Sequence, residues 1–338
     1  MRTLSLRELN RATLARQLLL RRVKLSPLAA IERVAGLQAQ WAPSPYVGLW
    51  TRLEGFRRET LERAVRRGDV LKPTLMRGTL HLVTARDYPL YYAALREMPT
   101  WYRPQHLAEA HRLLAEVRAL APISQSDAVA HVRGYGHEER DAWRIVHALR
   151  RHAHLLHGPD TALWRTAARV VYHPVAEPAE QDGAAARAEL VRRYLRAFGP
   201  ATKADVADWS GLRVRDFEHA LDGLPTYLNE EGRTLYDVPR APLPAADTPA
   251  PVRFLPKWDN TLLAHADRRR VIGDELRRGV VMGRNGDLPG TVLVDGVVAA
   301  IWRSDRGGAV TVEYVGPATR TQQAEVAAEA GRLQAWLA

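Results

Sequence analysis

The residues with the clearest chemical potential are two amides, Gln38 and Gln40, separated by one small residue in the run Gly36-Leu37-Gln38-Ala39-Gln40-Trp41. On an extended backbone alternate side chains point to one side, so both carboxamides would face a common space. Each offers a carbonyl acceptor and two N–H donors, and a facing pair can hold one water in a fixed orientation. Trp41, Pro43, Pro45 and Tyr46 follow and predict a stiff aromatic loop. On spacing alone, capping of the preceding helix end or hydrogen bonding to base edges is the simpler reading of the two amides.

Other constellations carry less. His152, His154 and His157 give an HxHxxH pattern, but it straddles a helix end and a strand without a supporting acid, so no metal is expected there. No cofactor is expected either. Asp259-Asn260 and His265-Ala266-Asp267-Arg268 could bring a carboxylate and an imidazole toward a site. A buried charge network tying the last unit to the others is the preferred reading of them. The chain has four lysines, Lys24, Lys72, Lys203 and Lys257, and no cysteine. The absence of cysteine excludes disulfides, thiolate nucleophiles, iron–sulfur clusters and cysteine-bound zinc, and it suits a reducing cytoplasm. No cluster of closely spaced acids offers to hold a pair of metal ions. Trp101, Trp143, Trp164 and Trp209 are expected to pack in the core or the wings rather than serve as stacking platforms.

The elements that must position these residues form a degenerate repeat. Pro122-Ile123-Ser124-Gln125-Ser126-Asp127 recurs as Pro200-Ala201-Thr202-Lys203-Ala204-Asp205, and Ser5-Leu6-Arg7-Glu8 opens the chain in the same way. Each is a helix start in which a hydroxyl and an acid three residues on satisfy the first free amides. A second helix and two short strands around a turn should follow each one. In the first copy a helix from Ser26 and another near 59–67 lead to strands 70–76 and 79–84, joined at Arg77-Gly78. In the second, helix 140–151 leads to strands 154–157 and 162–165, and in the third, helix 214–221 leads to strands 226–229 and 234–238. Helices followed by a small hairpin make a winged helix. Residues 172–183 read as a loop, and 238–251 (VPRAPLPAADTPAP) as an extended linker. Strands near 280–282, 291–294, 297–302 and 310–315 and a closing helix over 319–337 complete the chain.

The expected fold class is therefore α+β and mainly helical, with three tandem winged helices, a β-rich C-terminal unit and a final helix. The units are placed at 1–100, 101–180, 181–245 and 246–338, with the glutamine pair in the first. Net charge is +11, with seven basic residues against one acid in the first 24. Such a basic face attracts polyanions, chiefly nucleic acid. The expected DNA contacts are Arg11, Arg16, Trp41, Lys72, Arg77, His265 and Arg268. Arg284 and Asn285 join them on a turn between strands (283–290) suited to probing a minor groove. No apolar run approaches the length of a bilayer, and the start MRTLSLRELN carries no visible secretory signal. A cytoplasmic, nucleoid-associated monomer is expected.

The setting VAGLQAQWAPSPYVGLWTRL closely resembles the QxQ motif of the AlkZ branch of the AlkZ/YcaQ family of DNA glycosylases. The segments LRELNRATLARQLLL, LMRGTLHLVTARDY, GPATKADVADWSGL, WDNTLLAHADRRRV and GTVLVDGVVAAIW match the same family in the expected order, over essentially the whole chain. A sister branch has aspartate at the second motif position, and Gln40 places this chain in the other group. The resemblance implies three tandem winged helices forming a concave, basic scaffold for double-stranded DNA. It implies excision of N7-alkylated purines, including bulky or crosslinked adducts, with Gln38 and Gln40 catalytic. Lys72 and Lys257 lie near the first wing and the late unit without a desolvating, like-charged setting, so base removal without lyase activity is expected. The competing class is a non-catalytic winged-helix regulator that binds a defined sequence, usually as a dimer.

Overall fold

Ser5 accepts a hydrogen bond from the Glu8 amide while the Glu8 carboxylate accepts from the Ser5 amide at 2.8 Å, so helix α1 (Leu6–Arg16) starts with its end amides satisfied. The same reciprocal cap joins Thr202 to Asp205, and Ser124 accepts from the Asp127 amide. The repeated helix starts read from the sequence are therefore real. The computed structural model describes residues 1–166, 169–283, 286–305 and 307–338.

After α1 come α2 (Pro27–Arg33), β1 (Leu37–Gln38), α3 (Ser44–Arg52), α4 (Arg58–Arg66), β2 (Val70–Leu71), β3 (His81–Thr84) and α5 (Tyr88–Leu95). The three strands form an antiparallel sheet in the order β1-β3-β2, with Gln38 opposite His81 and Val70 opposite Thr84. The expected long hairpin is cut short. Pro73 has no amide to give a ladder, and Met76–Gly78 coils into a tight turn with Arg77 at φ 56°.

The second stretch holds α6 (Pro104–Ala119), β4 (Ile123–Ser124), α7 (Gln125–Arg133), α8 (Glu139–His152), β5 (Leu155–His157) and β6 (Val171–Pro174), with sheet order β4-β6-β5. Here the expectation fails: the partner of β5 is Val171–Pro174, which runs into the 172–183 segment expected as loop, rather than residues 162–165. Ala162 instead joins the core of the first stretch, where its carbonyl accepts from the Tyr46 hydroxyl at 2.9 Å. Tertiary packing outweighs the local strand pattern.

The third stretch has α9 (Gly183–Phe198), α10 (Lys203–Ser210) and the hairpin β7 (Thr226–Leu228) with β8 (Thr234–Tyr236). The expected helix over 214–221 is two short 3-10 turns, Val214–Asp216 and Glu218–Leu221. Residues 239–252 carry no helix or strand, as a proline-rich linker should.

The last stretch runs β9 (Arg253–Leu255), α11 (Asn260–Leu263), α12 (Arg269–Ile272), α13 (Glu275–Val281), β10 (Gly290–Val294), β11 (Val297–Ser304), β12 (Val310–Tyr314) and α14 (Arg320–Leu337). Its antiparallel sheet has the order β12-β11-β10-β9. Val280 and Val281 end α13 rather than forming a strand, so the segment that follows links a helix to a strand. Arg284 and Asn285, expected as probing residues, lie outside the described residues.

The cores explain how distant parts of the chain meet. One large cluster packs Ile31, Leu49 and Leu61 against Phe254, Val292, Trp302 and Leu333, so the first and last stretches share one interior. Each such side chain contributes about 1.5–3 kcal/mol by leaving water. A second cluster joins α5, α9 and α10 through Tyr91, Tyr194, Phe198 and Trp209, while α6–α8 bury an interior of their own. Strand β1 thus sits where three parts of the chain converge. Among the described residues, no helix is long and apolar enough to cross a membrane.

Candidate active site

Ala35 and Gly36 leave α2 with positive φ, 60° and 87°, and turn the chain directly into β1. At Gly36 a Cβ would meet Val83 Cγ1 at 3.2 Å, so glycine suits both the turn and the close approach to β3. The pairing continues past β1, because the Ala39 amide donates to the Leu80 carbonyl at 2.7 Å. Leu37 and Ala39 enter the core, and Gln38 and Gln40 take the opposite face. Gln38 is only 7% exposed. Gln40 is exposed and Trp41 half-buried.

Gln38 Oε1 accepts from Arg77 Nη2 at 2.8 Å, and the same nitrogen donates to Asn260 Oδ1 at 3.0 Å. Arg77 Nη1 donates to the Trp209 carbonyl at 2.8 Å. Asn260 Nδ2 closes the circuit on the Gly36 carbonyl at 3.3 Å. One guanidinium therefore joins the motif strand, the end of α10 and the start of α11. A guanidinium only donates, so it fixes which way the Gln38 amide turns. Gln40 Oε1 accepts from the Leu80 amide at 3.3 Å and is turned likewise. Among the described residues neither NH2 group has a partner, and each carbonyl keeps a second lone pair. The pair has a set orientation and spare donors and acceptors for a water or a sugar.

Two features hold Arg77 in place. It adopts a left-handed backbone that L side chains rarely take. Gly211, at φ +82°, lets α10 end against it: a Cβ there would lie 3.3 Å from the Arg77 backbone and 2.6 Å from Met98 Sδ. Burial lowers the Arg77 pKa to about 10, which leaves it charged at neutral pH. His81, directly across from Gln38, is fully buried, with Nδ1 3.0 Å from the Thr79 carbonyl. Nδ1 must therefore donate. Burial, helped by the Arg77 charge, lowers the His81 pKa to about 3, so the ring is neutral. Its Nε2 has no partner among the described residues.

Several expected DNA contacts are inside the protein, where no phosphate reaches them. Arg11 is fully buried, ion-paired with Asp295 and bonded to the Thr248 carbonyl at 2.6 Å. Arg16 grips Asp237 through two bonds of 2.7 and 2.8 Å. Lys72 is buried and donates to the Thr161 carbonyl at 2.6 Å, and burial lowers its pKa to about 8. His265 is buried against the Phe198 carbonyl at 3.0 Å, and burial lowers its pKa to about 3. Arg268, by contrast, is only half-buried, turned to Met282 Sδ at 2.6 Å and 3.7 Å from Asp208. Arg11, Arg16 and Lys72 bind carboxylates and carbonyls far away in sequence, as unpaired buried charges would be too costly, while His265 is neutral.

The network reading of Asp259 holds. It takes both Arg52 nitrogens at 2.9 Å each; burial would raise its pKa, but the Arg52 charge together with the hydrogen bonds from Arg52 and Thr261 makes the net shift downward. The three histidines of the HxHxxH run turn to separate partners: His152 to Tyr102, His154 to Tyr88 and His157 to Arg150. Trp209 is core as expected, but Trp101 and Trp143 are 53% and 44% exposed, stacked on each other at 5.6 Å rather than packed inside.

Sequence reasoning missed the link from Arg77 to Gln38 and Asn260. Its one local signal was the Arg77-Gly78 turn, since Asn260 lies 183 positions further on.

The chain is similar to known proteins over most of its length. The family model described as DNA glycosylase AlkZ-like matches residues 31–336. An interstrand DNA cross-link repair glycosylase from Streptomyces sahachiroi is 25% identical over 321 residues, covering 85% of this chain and 84% of that protein. The solved structure of Streptomyces sahachiroi DNA glycosylase AlkZ matches with a TM-score of 0.81 at 21% identity, over 98% of this chain and 97% of the other.

Proposed function

The chain belongs to the AlkZ-like DNA glycosylase family, and on that premise we propose that it hydrolyses the N-glycosidic bond of cationic N7-alkylated purines in duplex DNA, leaving abasic sites. The observation that carries this reading is the glutamine pair on one strand face, with Gln38 held through its carbonyl by Arg77.

Breaking an N-glycosidic bond builds positive charge on the sugar, and a neutral purine leaves poorly. Alkylation at N7 makes the base cationic, so it departs neutral and much of the barrier is already removed. The protein then needs only to place a water beneath the sugar carbon and to set dipoles against the developing charge. Neutral amides suffice for that, as glutamine orients the attacking water in GTP hydrolysis. Gln38 and Gln40 take this role, Gln38 in a fixed orientation and Gln40 with more freedom at the surface. The net charge of +11 draws the protein to DNA without sequence preference. The three helix-and-strand stretches serve as tandem winged helices, with units at 1–100, 101–180, 181–245 and 246–338, acting as a monomer. Lys72 does have the desolvated setting that the sequence did not show, with its pKa lowered to about 8, but its ammonium is committed to the Thr161 carbonyl, and Lys257 pairs with Asp287 at 3.3 Å, which supports base removal without strand cleavage.

The test is a panel of duplexes carrying 7-methylguanine, a neutral lesion such as hypoxanthine, or no lesion, incubated with the protein in EDTA. The reading requires free 7-methylguanine, abasic sites that break only on alkali treatment, and little release from the other two. Retention of 7-methylguanine in the duplex overturns it.

A further inference from the structure

His81 and Gln38 stand closer together than their register alone implies. The His81 amide donates to the Pro73 carbonyl at 3.0 Å, on the β2 side, and the Ala39 amide donates to the Leu80 carbonyl at 2.7 Å. Bonded and open pairs alternate along an antiparallel ladder. Gln38 and His81 are therefore an open pair, the narrow kind, with α-carbons about 4.5 Å apart and both side chains on one face.

An imidazole is a costly choice for that position. The ring is wholly buried, its Nδ1–H is given to the Thr79 carbonyl, and its Nε2 lone pair has no partner among the described residues. A buried acceptor left alone is expensive, and an apolar ring of similar shape would avoid the cost. The neighbouring side chain carries the complementary group. Arg77 holds the Gln38 carbonyl at 2.8 Å, which leaves the Gln38 NH2 as a donor beside that acceptor. No direct bond joins the two. One ordered water satisfies both, accepting from the amide and donating to the ring, as buried waters do between polar groups that lack a protein partner.

We infer that His81 is a positioning residue for the reaction: through one bridging water its Nε2 holds the Gln38 NH2 while Arg77 holds the carbonyl, so that the remaining lone pair of Gln38 Oε1 meets the attacking water. The inference rests on the glycosylase reading above and adds a residue to its chemistry. An amide anchored at one end can rock about that bond, and a second anchor removes the freedom. Misplacement of about 1 Å can cost about 100-fold in rate.

Two substitutions separate the ring's nitrogens. Asn places an N–H where Nδ1 donates and nothing at Nε2, whereas Gln places a carbonyl near Nε2 and gives up the Thr79 bond. Single-turnover release of 7-methylguanine at saturating protein is measured for wild type, His81→Asn, His81→Gln, Gln38→Ala and Gln38→Ala with His81→Asn, with thermal unfolding and DNA affinity alongside. The proposal expects His81→Asn to keep the higher Tm yet release base about tenfold or more slowly. It expects His81→Gln to have the lower Tm yet come within about threefold of wild type. On the Gln38→Ala background, His81→Asn should slow release by less than about twofold, because both changes undo one arrangement. Affinity should stay constant throughout. Any other pattern overturns the role of His81 and leaves the glycosylase reading intact: rates that follow Tm, an unslowed His81→Asn, or a loss that persists without Gln38. If His81→Gln does not fold, the double variant decides alone. Absence of release from wild type removes the glycosylase reading and this inference with it.

Discussion

Arg77 was expected to touch DNA, and the structure instead makes it the anchor of Gln38, a difference that experiment can resolve. Arg77→Ala removes three charge-assisted bonds of 2.8, 2.8 and 3.0 Å. Such bonds are worth about 1.5–3 kcal/mol each when both partners are buried. The side chains of Gln38 and Asn260 can turn toward water and recover part of this, but the Trp209 carbonyl cannot. The net loss should be about 2–4 kcal/mol, a drop in Tm on the order of 5–10 °C. Freed of its anchor, the Gln38 amide samples several orientations, and misplacement of about 1 Å can cost about 100-fold in rate. Base release at saturating protein should fall about 10- to 100-fold. Arg77→Lys keeps the charge but not the planar fork, and should land between the two. The decisive assay pairs single-turnover release of 7-methylguanine with DNA affinity across a salt series. A phosphate contact would lower the salt slope by about one when removed. The positioning role predicts an unchanged slope with a slow chemical step. A shallower slope with normal release at saturation would refute it.

The remaining expectations concern stability. Arg52→Met leaves Asp259 buried and unpaired and should cost about 3–5 kcal/mol. Adding Asp259→Leu should restore most of the Tm, and a pair of variants that behave additively would contradict the coupling. Burial lowers the pKa of His81, His147 and His157 to about 3. The native state therefore keeps these rings neutral, while the unfolded chain protonates them near pH 6.5. Their contribution is complete above about pH 6.5 and is lost as pH falls toward 3, by up to about 1.4 kcal/mol per pH unit for each ring. Calorimetry should show a clearly lower Tm at pH 5 than at pH 7.5, whereas a flat Tm over that range would contradict the assignment.

What was legible in the sequence was local. The capping pairs Ser5–Glu8 and Thr202–Asp205, the proline-rich linker and strands β10, β11 and β12 of the last sheet are encoded within a few residues and appear where expected, whereas β9 was not foreseen. The alternation in Leu37-Gln38-Ala39-Gln40 announced one shared face, and the chain uses it. What was not legible was pairing at a distance. Arg11 and Arg16 look like surface cations until Asp295 and Asp237 arrive from more than 200 residues away. Val280 and Val281 suit a strand by composition, yet close a helix. Ala162 left its hairpin because the first stretch had a place in its core for it.

The most direct test sets Gln38→Ala and Gln40→Ala beside wild type on one 7-methylguanine duplex, measuring release at saturating protein and DNA affinity in the same buffer. The account predicts slower release from both variants, greater for the anchored Gln38, with affinity nearly unchanged. Full rates from both would contradict it, even with the fold intact.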